Sequence, residues 1–222
     1  MEWSALDLSV RLGLATALLL LPFGILAGRW LAYGRFAGKS LCEAAFALPL
    51  VLPPTVLGYY LLVHFGSAAP LGRWFENWFG HPLAFSFEGL LLASLIVNLP
   101  FAVQPMQRAF EAIPREVREA AACCGMAPAR VLAHIELPLA WPGIVSGLVM
   151  TFAHTLGEFG VVLMVGGAIP GRTRTLSIAI YDRVQSFDAE AAAVMAQTLL
   201  AFSAIAIGLT YWLGNRVTRR HG

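Results

Sequence analysis

Charge is the scarcest commodity in this chain. Of its 222 residues only 13% are Asp, Glu, Lys or Arg, against 58% hydrophobic. A soluble domain carries about 25% charged residues, so an ordinary water-facing globule is excluded, and a mean hydropathy of +0.70 points to a membrane. The formal net charge of +2 gives no ground for a nucleic-acid partner. Cysteine is equally sparse. Cys42, Cys123 and Cys124 form an odd set with two adjacent members, which supports neither a disulfide framework nor a metal-ligand spacing, so they read as reduced packing residues. The five histidines are scattered, with no pair at the helical spacing of a metal centre, and no metal site is expected.

Other absences narrow the reading further. The start, Met1 to Asp7, is acidic and lacks a positive n-region, so the first apolar run is not expected to be a cleaved signal. No internal repeat, low-complexity tract or long linker is visible, and residues 1–222 are expected to form a single transmembrane domain. The stretch Gly34 to Ser40 has the look of a phosphate loop, but three residues separate its glycines where the pattern needs four. It also follows an apolar run rather than a strand. No nucleotide site and no cofactor are expected on this chain.

What the chain does have is long apolar runs. About 20 apolar residues cross a bilayer, and five candidates appear: Leu8–Gly28, Leu41–Phe65, Glu88–Phe110, Trp141–Gly166 and Ala191–Leu213. The expected fold class is all-α integral membrane. Basic residues in short loops mark the cytoplasmic side. Arg29, Arg35 and Lys39 follow the first span, Arg108, Arg115, Arg118 and Arg130 the third, and Arg216, Arg219 and Arg220 the fifth. The N-terminus is therefore expected outside and the C-terminus in the cytoplasm. Arg172, Arg174 and Arg183 run against that rule in the last outer loop, partly balanced by Asp182, Asp188 and Glu190. Within that loop Leu176–Gln185 reads as a short helix lying at the surface or dipping inward. Arg11 sits near a span end, where its charge can snorkel. Trp74, Phe75, Trp78 and Phe79 in the other outer loop suit the membrane–water interface.

Between the third and fourth spans lies a polar island, residues 111–140, read as two short helices and a turn. Pro114 suits a first helical position, where a missing N–H costs nothing. Glu111/Arg115 and Arg115/Glu119 are spaced to pair on one face. Gly125 suits the left-handed turn past a helix end. Pro128 opens the second helix, which is expected to stop before Pro138. Ala120, Ala121 and Ala122 are small enough for another surface to approach the backbone.

The spacing Glu119-Ala120-Ala121, three residues, Gly125, nine residues, Ile135, then Leu137-Pro138 resembles the EAA loop of permease subunits in bacterial ABC importers, with every named position filled. The plain alternative is an amphipathic connector that binds nothing. The resemblance implies a type I ABC importer permease fold in the bacterial cytoplasmic membrane. It also implies that this loop is a cytoplasmic coupling element docking on a separate ATP-hydrolysing subunit. Arg115, Arg118, Glu119, Ala120, Ala121, Gly125, Ile135, Leu137 and Pro138 would then make the contact. ATP and Mg would be used by that partner, and this chain would not be an enzyme. The implied partners are two ATPase subunits, a second copy of the chain, an extracytoplasmic binding protein and membrane lipid.

Candidates for a pathway come from two spans. Pro49, Pro53 and Pro54 remove backbone donors from the second, so a helix there is expected to kink beside a pathway or simply at a packing contact. In the fourth, Gly143 and Gly147 give a small-xxx-small contact pattern. Thr151, His154, Thr155 and Glu158 follow at one-face helical spacing. A charge at mid-membrane costs about 2.5–3.5 kcal/mol on insertion scales, so it faces protein or a watery path. The alternative is a buried polar pair fixing helix packing. Asn98, Gln104, Gln107 and Gln197 are lesser candidates for the wall.

Leu156 to Gly160, Leu48 to Pro54 and Ile169 to Thr175 resemble permeases of molybdate and sulfate importers, the molybdate type over nearly the whole chain. That implies import of molybdate or tungstate, with a sulfate/thiosulfate permease as the alternative. A carboxylate repels a divalent oxyanion, so Glu158 reads as a gate anchor rather than a ligand. Arg172 and Arg174 read as docking residues for the binding protein, with attraction of the anion as a minor reading. His154 stands where relatives are expected to carry Arg or another polar residue. An ion-coupled secondary transporter would need carboxylates deep in several spans, and only Glu158 qualifies, Glu43 and Glu88 lying near ends.

Overall fold

The helix α1 (Trp3–Tyr33) carries a stripe of buried residues at three- and four-residue intervals, Ala5, Ser9, Leu12, Thr16, Leu20, Gly24, Ala27 and Leu31. Its other face presents Leu14, Leu18, Leu26 and Trp30 outward. An outer surface this apolar is a liability in water and a match for lipid. The computed structural model describes residues 2–218, with side chains to residue 208. The expected Arg219 and Arg220 lie outside the described residues.

Against α1 packs α5 (Phe87–Glu111), whose start is capped by Ser86, its hydroxyl accepting from the Gly89 N–H at 3.1 Å. The third helix of this core is α8 (Leu137–Gly157). Gly143 lets α8 lie directly on α5, since a side chain there would meet Ala109 and the Pro105 carbonyl. The expected small-residue contact is present. Met106, Phe110, Ile113, Ala140 and Ile144 fill the space between α5 and α8.

Among the described residues four helices are long and apolar enough to cross a membrane, or five if one bent pair is counted as a span. That pair is the kink expected in Leu41–Phe65, sharpened into a break between two helices. α2 (Lys39–Val51) and α3 (Pro54–Phe65) meet at 104°. The fourth span, Trp141–Gly166, is also not one helix. α8 ends at Gly157, and α9 (Gly160–Gly166) begins after an extended Glu158.

The polar island holds α6 (Arg115–Cys123) and α7 (Pro128–Val131) joined through Gly125, whose φ is +70°. Pro114 precedes the first helical residue instead of occupying it, with ψ at 139°. The expected stop before Pro138 does not occur. Leu132–Glu136 forms a π-helical turn that leads straight into α8, so Pro128–Gly157 runs on as one apolar rod. The widened turn lets a proline follow without the clash it would make in a regular α-turn.

At the opposite end lie α4 (Pro70–Phe79) and α10 (Leu176–Gln185), with α11 (Ala189–Thr218) along the outside. Trp74, Trp78 and Phe79 of α4 are exposed as expected of an interfacial belt, but Phe75 is buried among Leu61, Phe65 and Leu83. α10 matches the short helix expected at 176–185. Its first turn is anchored inward, the Leu176 N–H donating to Ser9 Oγ at 2.8 Å.

Candidate functional site

Two broken helices meet in the middle of the bundle. Leu52 N–H still reaches the Leu48 carbonyl at 3.1 Å. Pro53 and Pro54 then have no N–H to give to the carbonyls of Pro49 and Leu50, so α2 cannot continue. The second break sits beside the first. Gly160, at the start of α9, touches Pro54 so closely that a Cβ on it would lie 2.6 Å from the Pro54 Cβ. Between them is a cavity of about 110 Å³ lined by Pro49, Leu52, Pro54, Phe101, His154 and Glu158.

Glu158 has left the helix, and its backbone is extended with ψ at 127°. Its carboxylate accepts the Val161 N–H at 3.0 Å, satisfying one of the donors that a helix start leaves open. Its own carbonyl accepts from Ser177 Oγ at 2.7 Å, tying the break to α10. His154 Nε2 is 3.9 Å from the same carboxylate, and its ring stacks on Phe101 with centroids 4.1 Å apart. Asn98 donates its amide to the Ser94 carbonyl, which leaves Oδ1 to accept from His154 Nδ1 at 3.1 Å.

Thr155 and Thr151 share the helix but not the cavity. Thr155 donates back to the Thr151 carbonyl at 2.7 Å, and the Thr151 hydroxyl is buried without a partner among the described residues. Pro53 forms the break as the residue before α3. Gln104 and Gln107 line a different cavity of about 380 Å³, with Glu43 and Glu111. There the Gln107 amide donates to Glu43 at 2.8 Å and to Glu111 at 2.9 Å. Gln197 is exposed on α11.

The α6 end is the second candidate region. Arg115 and Glu119 pair at 2.6 Å, as their spacing predicts. Glu111 does not meet Arg115. It ends α5, the chain bends at Ala112–Pro114, and its carboxylate turns to Arg108 at 3.2 Å. Glu119, Ala120 and Gly125 are exposed while Ala121 is buried, so α6 offers one continuous outward surface. Ile135 and Leu137 are half-buried and Pro138 is exposed at the start of α8.

Sequence reasoning missed the most buried charge in this region. Glu136 occupies a spacer position of the loop pattern and is 0% exposed. It accepts two hydrogen bonds from Arg29 of α1, from Nε and, at 3.3 Å, from Nη2. Arg118 Nε of α6 lies 3.4 Å from Oε1, the oxygen that Arg29 Nη2 also reaches, and its guanidinium sits over the Tyr33 ring, 3.4 Å from the centroid. The partners of Glu136 are far away in the chain, Arg29 by 107 positions, so no local spacing could have announced the cluster. A lone acid among the apolar residues 131–141 was the available hint.

At the far end Arg174 is held by Asp182 at 2.9 Å and Glu2 at 3.5 Å, and Arg183 by Glu2 at 3.0 Å. The Glu2 hydrogen bond raises the pKa of Arg183 above its usual value. Arg172 opens on a cavity of about 450 Å³ shared with Asp7, Arg11, His81 and Glu88.

Residues 21–219 match the model of a family described as "Binding-protein-dependent transport system inner membrane component". The chain is 42% identical over 210 residues to the molybdenum transport system permease protein ModB of Azotobacter vinelandii, covering 95% of this chain and 93% of that one. It is 37% identical to ModB of Escherichia coli strain K12, over 100% of this chain and 97% of that one. Among solved structures, a chain of a bacterial alginate ABC transporter superposes with a TM-score of 0.70 at 17% identity, over 98% of this chain and 78% of that one. A chain of the inward-facing MetNI methionine ABC transporter gives 0.62 at 19%, over 99% and 93%. The fold is that of a type I ABC importer permease.

Proposed function

The chain belongs to the family of binding-protein-dependent transport system inner membrane components, and from that premise we propose that it is the permease of an ATP-driven importer of molybdate or tungstate. The observation that carries this reading is the similarity to molybdenum transport permeases at 37–42% identity over at least 95% of this chain. Molybdate and tungstate are nearly alike in size and charge, and both belong to the proposal.

The chain works as a homodimer whose pathway runs between the copies. Five spans enclose little by themselves, and α2 has no buried residue at all in a single chain, as expected of a helix that meets a second copy. The two copies of residues 111–140 face the cytoplasm and each docks on an ATPase subunit. The contact is made by Arg115, Arg118, Glu119, Ala120, Ala121, Gly125, Ile135, Leu137 and Pro138. ATP and Mg are spent by that partner. Closure of the ATPases moves α6, and the rods behind it open the other side to a binding protein that delivers the oxyanion.

The junction of the two broken helices is the gate. Pro53 and Pro54 set one wall, His154 and Glu158 the other, and Thr151 and Thr155 stiffen the helix behind them. Glu158 repels the anion and holds α9 in place rather than binding the cargo. On the outside Arg172 meets the binding protein directly, while Arg174 shapes that face through its ion pairs. Gly125→Asp tests the coupling. Its left-handed backbone strains a side chain, and the new carboxylate points into open space where the partner would sit. The variant is expected to insert normally but to lose co-purification with the ATPase and uptake; wild-type assembly and uptake would overturn the docking role.

A further inference from the structure

The coupling helix α6 is poorly held by packing. Only Ala121 of its nine residues is buried, and its Arg115–Glu119 pair is internal. A helix with so little apolar contact cannot push on a bundle unless something ties it there. The tie is the carboxylate of Glu136, fully buried and shared by Arg29 and Arg118. Ionised hydrogen bonds of this kind are about twice as strong as neutral ones. A two-pronged guanidinium also fixes direction as well as distance.

Three elements converge on this one side chain. Arg118 comes from α6, Arg29 from α1, and Glu136 itself is the last residue of the π-helical turn, bonded directly to the first residue of α8. Tyr33 adds a second attachment of Arg118 to α1 through its ring face, and its hydroxyl donates to the Phe110 carbonyl at 3.1 Å, reaching α5. The cluster therefore joins α6 to all three helices of the central core. The π turn matters here because an irregular turn can absorb a small rotation that a regular helix resists.

We propose that Glu136 is a positioning residue of the transport cycle, the linchpin through which displacement of α6 is passed to α1 and α8. The proposal rests on the docking role of α6 given above. Arg118 and Arg29 share the Glu136 carboxylate, so that α6 and α1 move together with the foot of α8. Without the carboxylate, α6 follows the ATPase while the core stays behind, and ATP is hydrolysed without moving cargo.

The test uses the full complex with its ATPase and binding protein in vesicles, measuring molybdate imported and ATP hydrolysed in the same sample. Glu136→Gln keeps the shape but removes the charge. Arg29→Met leaves a neutral Arg118–Glu136 pair, and so keeps the fold if Glu136→Gln does not. In both, the complex is expected to co-purify while the ratio of molybdate imported to ATP hydrolysed falls about tenfold. Glu136→Asp is expected to recover part of it. A wild-type ratio in the variants, whether or not the yield drops, would assign Glu136 a purely structural role and overturn the proposal. Failure of the docking role itself shows elsewhere, as normal assembly and uptake in Gly125→Asp.

Discussion

Ser86 and Glu158 hold helix starts by the same device, a side-chain oxygen accepting a backbone N–H three residues on. For Ser86→Ala the loss is expected to be about 1 kcal/mol, seen as a lower midpoint of thermal unfolding in detergent with uptake otherwise intact. Glu158 is different because it also borders the cavity. Glu158→Gln keeps an acceptor for Val161 and should leave stability near wild type, whereas Glu158→Leu removes it and should cost about 1–3 kcal/mol. Uptake is expected to fall in both, which separates the proposed gate role from the cap. A sequence reader could pair His154 with Glu158 from their four-residue spacing, and they do approach each other. That Glu158 has left the helix was not legible. Gly157 and Gly160 lie well inside the long fourth span, and glycine there is equally compatible with close helix packing.

Among the elements, breaks were legible where proline caused them and hidden where tertiary packing did. Pro53 and Pro54 announce the end of α2, though not the 104° angle that follows. The rule that a residue before proline leaves the helical region suggested a stop at Pro138. It failed because Leu132 and Leu137 pack into the cluster around Phe110 and Ile113, and a π turn reconciles that burial with the proline. Close approaches between elements give two substitutions with opposite readouts. Gly143→Leu forces α8 off α5 at Ala109 and is expected to destabilise the protein by about 1–3 kcal/mol, the usual range for overpacking, read by unfolding in detergent. Gly160→Ala places its methyl against Pro54 at the junction. It is expected to slow uptake severalfold in a complex that still assembles, measured by co-purification and anion uptake side by side.

At the scale of the whole molecule, hydropathy was sufficient for the membrane class and the rough positions of the apolar runs, though not for the breaks in two of them, and the loop pattern from Glu119 to Pro138 for the family. What it could not give was anything joining distant parts of the chain. The Arg29–Glu136–Arg118 cluster and the Glu2–Arg174–Asp182 cluster both link residues far apart in sequence. In the sequence, basic residues read only as markers of sidedness or as contacts for a partner. Arg29, Arg118 and Arg174 also bind elements of this chain to each other. The picture that results is of a membrane bundle with weak points built in, two broken helices at its centre and a loosely packed α6 at its foot.

Its most direct test is uptake of radiolabelled molybdate into vesicles holding this chain alone or with its ATPase subunits, binding protein and ATP. Accumulation against a gradient is expected only in the complete system and is expected to stop when ATP is withheld. Uphill accumulation by the chain alone, with neither nucleotide nor companion subunits, would contradict the account.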